Sequence, residues 1–239
     1  MTKKSGLQTN HTMEFSRRAK SYQKHNIIQK KVVKELISSI PSKPKKILDL
    51  GCGSGAVYEL IDWSFDKFVG IDKADQMCKL HPKDPKITLY HEDFENQKLL
   101  QQLGTFDIVI SSSALQWAKE LDTLFQQIST MTQEVAFAIF CDKTFHTIYQ
   151  MTDMQTFLPD SKTLSNLLKY YFDVQIDIKT YQLDFPDNIS KFRYIKQSGV
   201  SGGSKKLSVE QTKRLIKEYP HTFLELKSSF VMEKSNIKT

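Results

Sequence analysis

The chain has few cysteines and no long apolar run, and both shortages narrow what it can be. Its three cysteines, Cys52, Cys78 and Cys141, are an odd number with no pair at metal-ligand spacing. Neither a disulfide nor a zinc or other metal site is expected, and a reducing compartment suits them. No apolar stretch approaches the length needed to span a bilayer, and the opening MTKKSGLQTN has neither the apolar centre nor the small-residue cleavage site of a signal peptide. The expectation is a cytoplasmic protein with no membrane attachment. Internal repeats are also missing, as are low-complexity segments beyond the polar termini. What is present, 239 residues with 39% hydrophobic content, suffices for one substantial core with an insertion.

The net charge of +7 and a pI near 9.1 favour an acidic partner, because a positive surface speeds encounter with a negative one. Most lysines are scattered along the chain as solvated residues do. Only Lys43, Lys45 and Lys46, and later Lys205 and Lys206, form local clusters.

From Lys24 to Ile40, Ile28, Val32, Leu36 and Ile40 recur every four positions, and Val33 and Ile37 widen the stripe, which predicts an amphipathic helix stopped by Pro41 and Pro44. KKILDLGCGSG and KFVGID then read as buried parallel strands, and KITLYHEDF, TFDIVISSSA and EVAFAIF as three more, with helical patterns between, notably Leu121 to Met131. Strands alternating with helices imply a parallel, doubly wound sheet. After Phe140 the texture changes. Thr144 to Tyr171 reads as a long polar and aromatic helical region, DVQIDIKTYQLDF as a member of an antiparallel pair, Ile189 to Ser198 and Ser208 to Tyr219 as helices, and FLELKSSFVMEK as a closing strand. The expected organisation is a single domain over 1–239, with an N-terminal lid (1–41), a cofactor-binding core (42–141), cap helices with the sixth strand (142–221), and a closing strand and tail (222–239).

The most informative local motif is ILDLGCGSG. Gly51, Gly53 and Gly55 allow a sharp turn and close approach of a ligand to the backbone. Asp49 lies two residues before the first glycine, where its carboxylate is placed to organise the turn and to face a cationic ligand end. Asp72 closes the second strand, placed to accept from two ribose hydroxyls. Gly51, Gly53 and Ala56 would also satisfy a dinucleotide fingerprint, so a nicotinamide oxidoreductase competes. The acid ahead of the glycines tips the balance, since it would repel a pyrophosphate and welcome an ammonium group. Asp93 and Phe94 after the third strand fit an amine acceptor beside an aromatic wall for adenine, and Met77 is a candidate to lie over that base. Together these sites outline S-adenosyl-L-methionine. Cys52 sits in the loop as a small turn residue with no neighbouring base.

On these residues the chain resembles the class I S-adenosylmethionine-dependent methyltransferases. More narrowly, it looks like the malonyl-acyl-carrier-protein O-methyltransferases of biotin synthesis, from about Phe15 to Glu233. The resemblance rests on FSRRAKSYQKHNIIQ, ILDLGCGSG, FDIVISSSALQW, FLP at Phe157 to Pro159, YIKQSGVSGG and LSVEQTKRLIKEYP. It departs where the family usually has Pro-Gly before the fifth strand and this chain has STMTQEV, and where Ser112 stands in place of a frequent Asn. The resemblance implies a Rossmann-like class I methyltransferase fold: a mostly parallel seven-stranded sheet with an antiparallel final strand and a small helical cap. It also implies methylation of the free carboxylate of a malonyl thioester on acyl carrier protein, with Tyr22 as the functional residue of the leader and Ser111 at the cofactor strand.

Phe15, Ala19 and Tyr22 share one helix face by spacing, and a lid over the cofactor mouth is expected there. Gln116 and Trp117 are expected to border the transfer site. Arg17 is a candidate to steer the acid, and Lys191, Arg193 and Lys196 are candidates to meet an acidic carrier protein. A monomer is expected. RNA is disfavoured as a substrate, because there is no Asn/Asp-Pro-Pro-aromatic motif and no appended RNA-binding module. A methyltransferase for another small acid and a noncatalytic cofactor-binding protein are the competing readings.

Overall fold

The computed structural model describes residues 26–152, 154–198 and 208–233. Seven strands form one sheet in the order β3-β2-β1-β4-β5-β7-β6. They are β1 Lys46–Leu50, β2 Lys67–Asp72, β3 Ile87–His91, β4 Ile108–Ser112, β5 Glu134–Phe140, β6 Val174–Asp184 and β7 Phe223–Glu233. The first five are parallel to one another, and β7 runs antiparallel between β5 and β6. This is the Rossmann-like class I methyltransferase topology. The order reverses at β1, with β2 on one side and β4 on the other, so the loops at their carboxyl ends diverge and open a crevice.

The two-residue period of β1 sorts its side chains onto two faces. Ile47 packs with Phe68, Ile108 and Ile110 on one, and Leu48 and Leu50 with Val69 and Val109 on the other. Helix α1, Ile27–Ser38, covers the Ile47 face. Its stripe of Ile28, Val32, Val33, Leu36 and Ile37 is buried as the period requires, and each large aliphatic contributes about 1.5–3 kcal/mol. The helix is also tied laterally, since Glu35 accepts from the Tyr181 hydroxyl at 2.9 Å and the Lys179 ammonium at 3.1 Å, both on β6.

The helical region expected over Thr144 to Tyr171 is divided. Two helices, His146–Thr152 and Ser161–Tyr171, make it up. Pro159 carries no N–H to continue a helix, and the Asp160 carboxylate accepts from the Lys162 and Thr163 N–H groups, so a new helix starts there. Helices Asn188–Ser198 and Val209–Glu218 follow, the second opened by a reciprocal capping box between Ser208 and Gln211. They bury Tyr194, Ile195, Leu215 and Tyr219 in the same core that α1 joins. Among the described residues no helix is long and apolar enough to cross a membrane.

Candidate functional site

An open cleft lies at the carboxyl ends of β1, β2 and β4. It is lined from one side by α1 and from the others by the turn after β1, the segment after β2, and the loops after β3 and β4. Gly51, Cys52, Gly53, Asp72, Met77, Asp93, Phe94 and Trp117, all singled out from the sequence, come together there. Among the described residues no group of three or more His, Cys, Asp or Glu side chains is placed to hold a metal ion.

The glycine turn is steric in origin. Gly51 has φ +78°, and a Cβ there would stand 2.2 Å from the Ala114 Cβ, so the turn and the loop after β4 touch through the missing side chain. Gly55 has φ +94° and abuts Pro82, with only 2.5 Å left for a Cβ. The Gly53 N–H donates to Asp72 Oδ2 at 2.9 Å, and the Ala74 N–H to Oδ1 at 2.7 Å. Burial pushes the Asp72 carboxyl above its ordinary range, and these two N–H groups partly offset it.

Asp49 behaves differently. It is fully buried, and neither carboxylate oxygen has a hydrogen-bond partner. Burial, with the Asp72 charge nearby, raises its carboxyl well above the ordinary value. It does not bond the turn that follows it, so of the two roles expected for it only the meeting with a cation is left open by the geometry. Asp93 is engaged as well. Its Oδ2 receives the Lys73 ammonium at 2.8 Å and its Oδ1 the Glu95 N–H at 3.1 Å. Burial pushes this carboxyl up, but the bonds from Lys73 and Glu95 and the Lys73 and Lys119 charges outweigh it and hold the group below its usual value.

Ser111 is fully buried away from the cleft, its hydroxyl donating to the Leu50 carbonyl at 2.7 Å across β4 and β1. Gln116 is buried too, donating to the Ser113 carbonyl at 2.7 Å. Trp117 stacks on Phe157 with centroids 5.1 Å apart and planes 14° from parallel. Arg193 is exposed on its helix, while Lys191 beside it is fully buried. The Lys191 ammonium donates to Asn188 Oδ1 at 2.9 Å and to the His221 carbonyl, so it is not on the surface where a carrier protein would meet it. The expected lid with Arg17 and Tyr22 lies outside the described residues, as does the Lys196 side chain.

Sequence reasoning missed the α1 contribution of Asn26, Gln29 and Lys30, and also Lys73, Glu95 and Ser113. The available signal was positional, since Gln29 falls on the apolar stripe of α1 where a polar residue needs a reason. Ser113 takes φ +60°, unusual for a residue with a side chain, while its N–H donates to the Ala138 carbonyl at 2.8 Å.

Comparison with known proteins agrees with this architecture. Residues 48–140 match the family model described as a methyltransferase domain. The chain is similar to the malonyl-[acyl-carrier protein] O-methyltransferase of Anoxybacillus flavithermus, 29% identical over 143 residues that cover 56% of this chain and 54% of the relative. It is 26% identical over 205 residues to the enzyme of that name from Haemophilus influenzae, covering 80% and 77%. The match to the first thus spans about half of that relative's length. Among solved structures, the plantazolicin methyltransferase BpumL, in complex with a triazolic desmethylPZN analogue and SAH, superposes with a TM-score of 0.57 at 15% identity, covering 97% of this chain and 98% of that one.

Proposed function

We propose that this chain, a member of the class I S-adenosylmethionine-dependent methyltransferase family, methylates the free carboxylate of a malonyl thioester carried on acyl carrier protein, an early step of biotin synthesis. The observation that carries the choice of cofactor is Asp49, a fully buried carboxylate two residues ahead of the glycine turn with both oxygens unpartnered. A buried acid of this kind gains a charge partner from a positive ligand end, and its ionised form opposes a pyrophosphate. The names of the relatives and the ALQW and leader motifs support the malonyl carrier-protein substrate.

When bound, S-adenosylmethionine supplies an electrophilic methyl group on a sulfonium sulfur. Asp72, already oriented by the Gly53 and Ala74 N–H groups, has the chemistry to accept from ribose hydroxyls. Phe94 and Met77 offer apolar walls to a base. The acceptor carboxylate is ionised at neutral pH, with a reference pKa near ~4, so no side chain has to remove a proton. Placement is what the chain must supply, and tight alignment is worth about 7–11 kcal/mol. Trp117, braced by Phe157, borders the site, and exclusion of water from two neutralising charges adds to the effect. Tyr22 is assigned to hold the malonyl carboxylate through a neutral hydrogen bond that preserves its nucleophilicity.

Purified protein given malonyl carrier protein and S-adenosylmethionine is expected to form the methyl ester, read by mass spectrometry. It is also expected to restore biotin-free growth to a strain lacking the carrier-protein methyltransferase. Neither ester nor rescue would sink the substrate assignment. Tyr22→Phe is expected to lower kcat about tenfold at unchanged cofactor affinity, the loss of one hydrogen bond to a charged group; full activity would remove the hydroxyl from the mechanism.

A further inference from the structure

Two thiols from separate segments meet beside the cleft. Cys52 sits in the glycine turn after β1 and lines the cleft, and Cys78 ends the short helix Asp75–Cys78 after β2. Both rest on the end of β2. A Cβ on Gly70 would stand 2.8 Å from Cys52 Sγ, so that glycine makes the room the sulfur fills. The Cys52 N–H donates to the Ile71 carbonyl at 3.1 Å, and the Cys78 thiol donates to the next carbonyl, that of Asp72, at 3.5 Å. A hydrogen bond between the two thiols completes the cluster.

The two sulfurs are unequal in the way a redox couple requires. Cys52 is 5% exposed, whereas Cys78 is half-buried. The bond from Cys52 holds the Cys78 thiol below its ordinary value, against its own burial and the Asp72 and Asp75 charges. The same bond, with burial, raises Cys52 well above its ordinary value. Thiolate therefore forms first on the more accessible sulfur, with a second thiol in contact to resolve an oxidised product. Cys141 provides the contrast. It is fully buried just past β5, burial raises its thiol, and its sulfur meets the Lys227 carbonyl and the Ser229 hydroxyl rather than another thiol.

We propose that Cys52 and Cys78 are a peroxide-sensitive modification site whose disulfide weakens ligand binding in the cleft; the identity of that ligand rests on the cofactor assignment above. The Cys78 thiolate attacks one oxygen of hydrogen peroxide, the O–O bond breaks, and a sulfenic acid forms while the other oxygen leaves as water after taking up a proton. The Cys52 sulfur then attacks the Cys78 sulfur, the S–O bond breaks, and the oxygen departs as a second water with the Cys52 proton. Two thiols are oxidised to one disulfide, and one peroxide is reduced to two waters.

A sulfur–sulfur bond of about 2.05 Å is shorter than a hydrogen-bond contact, so the turn and the helix must close on each other. The turn has little slack, because Gly51 abuts Ala114 and Gly55 abuts Pro82. The movement falls on Gly53 and Met77, the chain neighbours of the two sulfurs. Both line the cleft, and Met77 Cε lies 3.6 Å from a Cβ placed on Gly53.

Peroxide treatment of the reduced full chain tests this, read by peptide mapping with mass spectrometry and by calorimetry with S-adenosylhomocysteine. The expected product has lost two hydrogens, links Cys52 to Cys78 and leaves Cys141 unmodified. Its affinity for S-adenosylhomocysteine is expected to fall severalfold and to return on treatment with dithiothreitol. Cys78→Ser should bind the ligand as the reduced parent does, form no link and keep its affinity under peroxide. Cys52→Ser should instead carry Cys78 on to the sulfinic acid, seen as a gain of two oxygens. Oxidation of Cys78 in the parent without a link, a link through Cys141, or a link that leaves the affinity unchanged would overturn the proposal. Failure of the reduced parent to bind the ligand would bring down the cofactor assignment instead, and the mapping would still confirm or sink the link.

Discussion

The cleft and the buried polar cluster under the C-terminal helices solve opposite problems with similar residues. In the cluster, Lys191 is fully buried yet donates to Asn188 and to the His221 carbonyl and lies 4.1 Å from the Tyr219 ring centroid. Glu225 there accepts from the Thr147 N–H at 3.0 Å, the Thr147 hydroxyl at 2.5 Å and, at 3.5 Å, the Tyr219 hydroxyl. At the cleft, Asn26, Gln29 and Ser113 line the walls with oxygens that have no partner, and Asp49, fully buried on β1, has two more. For Lys191 and Glu225 desolvation is answered inside the chain, whereas no group of the chain answers it for these oxygens. Polarity alone therefore does not mark a site. Lack of a partner does not mark one by itself either, since the buried hydroxyls of Tyr194, on the Lys191 helix, and of Ser228, on β7, also lack one; what sets Asn26, Gln29 and Ser113 apart is that they line the cleft.

The largest effect should come from breaking the satisfied side of that comparison. Lys191→Met keeps the volume but strands the Asn188 oxygen and the His221 carbonyl. A loss of about 3 kcal/mol is expected, since each acceptor left unpaired in these part-buried surroundings costs up to about 1–3 kcal/mol. At roughly 2–4 °C per kcal/mol for a chain of this size, the melting temperature should fall by about 6–12 °C. Affinity for S-adenosylhomocysteine, measured below the transition, should stay unchanged. A cofactor-affinity loss without a stability loss would place Lys191 with the cleft instead.

The matching change on the unsatisfied side should carry the opposite sign. Burial and the nearby Asp72 raise the Asp49 carboxyl well above its ordinary value, so the ligand-free folded protein holds that proton more tightly than the unfolded chain. The stability this contributes is complete below the unfolded carboxyl value, near ~4, and is lost as pH rises toward the folded value. Asp49→Asn removes the decline. At neutral pH the ligand-free variant should melt higher than the parent by about 2–8 °C, corresponding to about 1–2 kcal/mol, and the difference should close as pH falls toward ~4. The stabilisation by S-adenosylhomocysteine should shrink at the same time. A variant that melts lower at every pH would show that Asp49 is structural.

How much of this was legible beforehand follows from the same distinction. The strands at KILDL, KFVGID and EVAFAIF are readable because apolar runs ending in a glycine turn or an acid have few other solutions. The glycine turn, Asp72 and Phe94 are readable because their residue types match their task. Lys191 was not, because on a helix with little apolar patterning a lysine is indistinguishable from its exposed neighbour Arg193 until the fold delivers the His221 carbonyl to it. Asn26 and Gln29 were hidden by the stripe they interrupt. The break at Pro159 and Asp160 is written in the sequence, in a proline followed by a capping acid, with helical pattern on either side of it.

The smallest effect tests where the two regions meet. Phe157 comes from the segment after His146–Thr152 and Trp117 from the loop after β4, and their parallel stack joins the later helical segment to the edge of the cleft. Phe157→Leu keeps an apolar side chain but removes the stacked ring, which is worth about 0.5–1.5 kcal/mol beyond area burial. The global melting temperature should therefore move by no more than a few degrees. Trp117 lines the cleft while Phe157 does not, so the variant loosens a wall without deleting a ligand contact. On the proposed mechanism the cofactor dissociation constant should hold, and kcat should fall severalfold as the acceptor loses alignment. If the cofactor constant moves instead and kcat does not, Trp117 belongs to the nucleoside wall with Phe94, and the border between the regions lies one residue group deeper in the cleft.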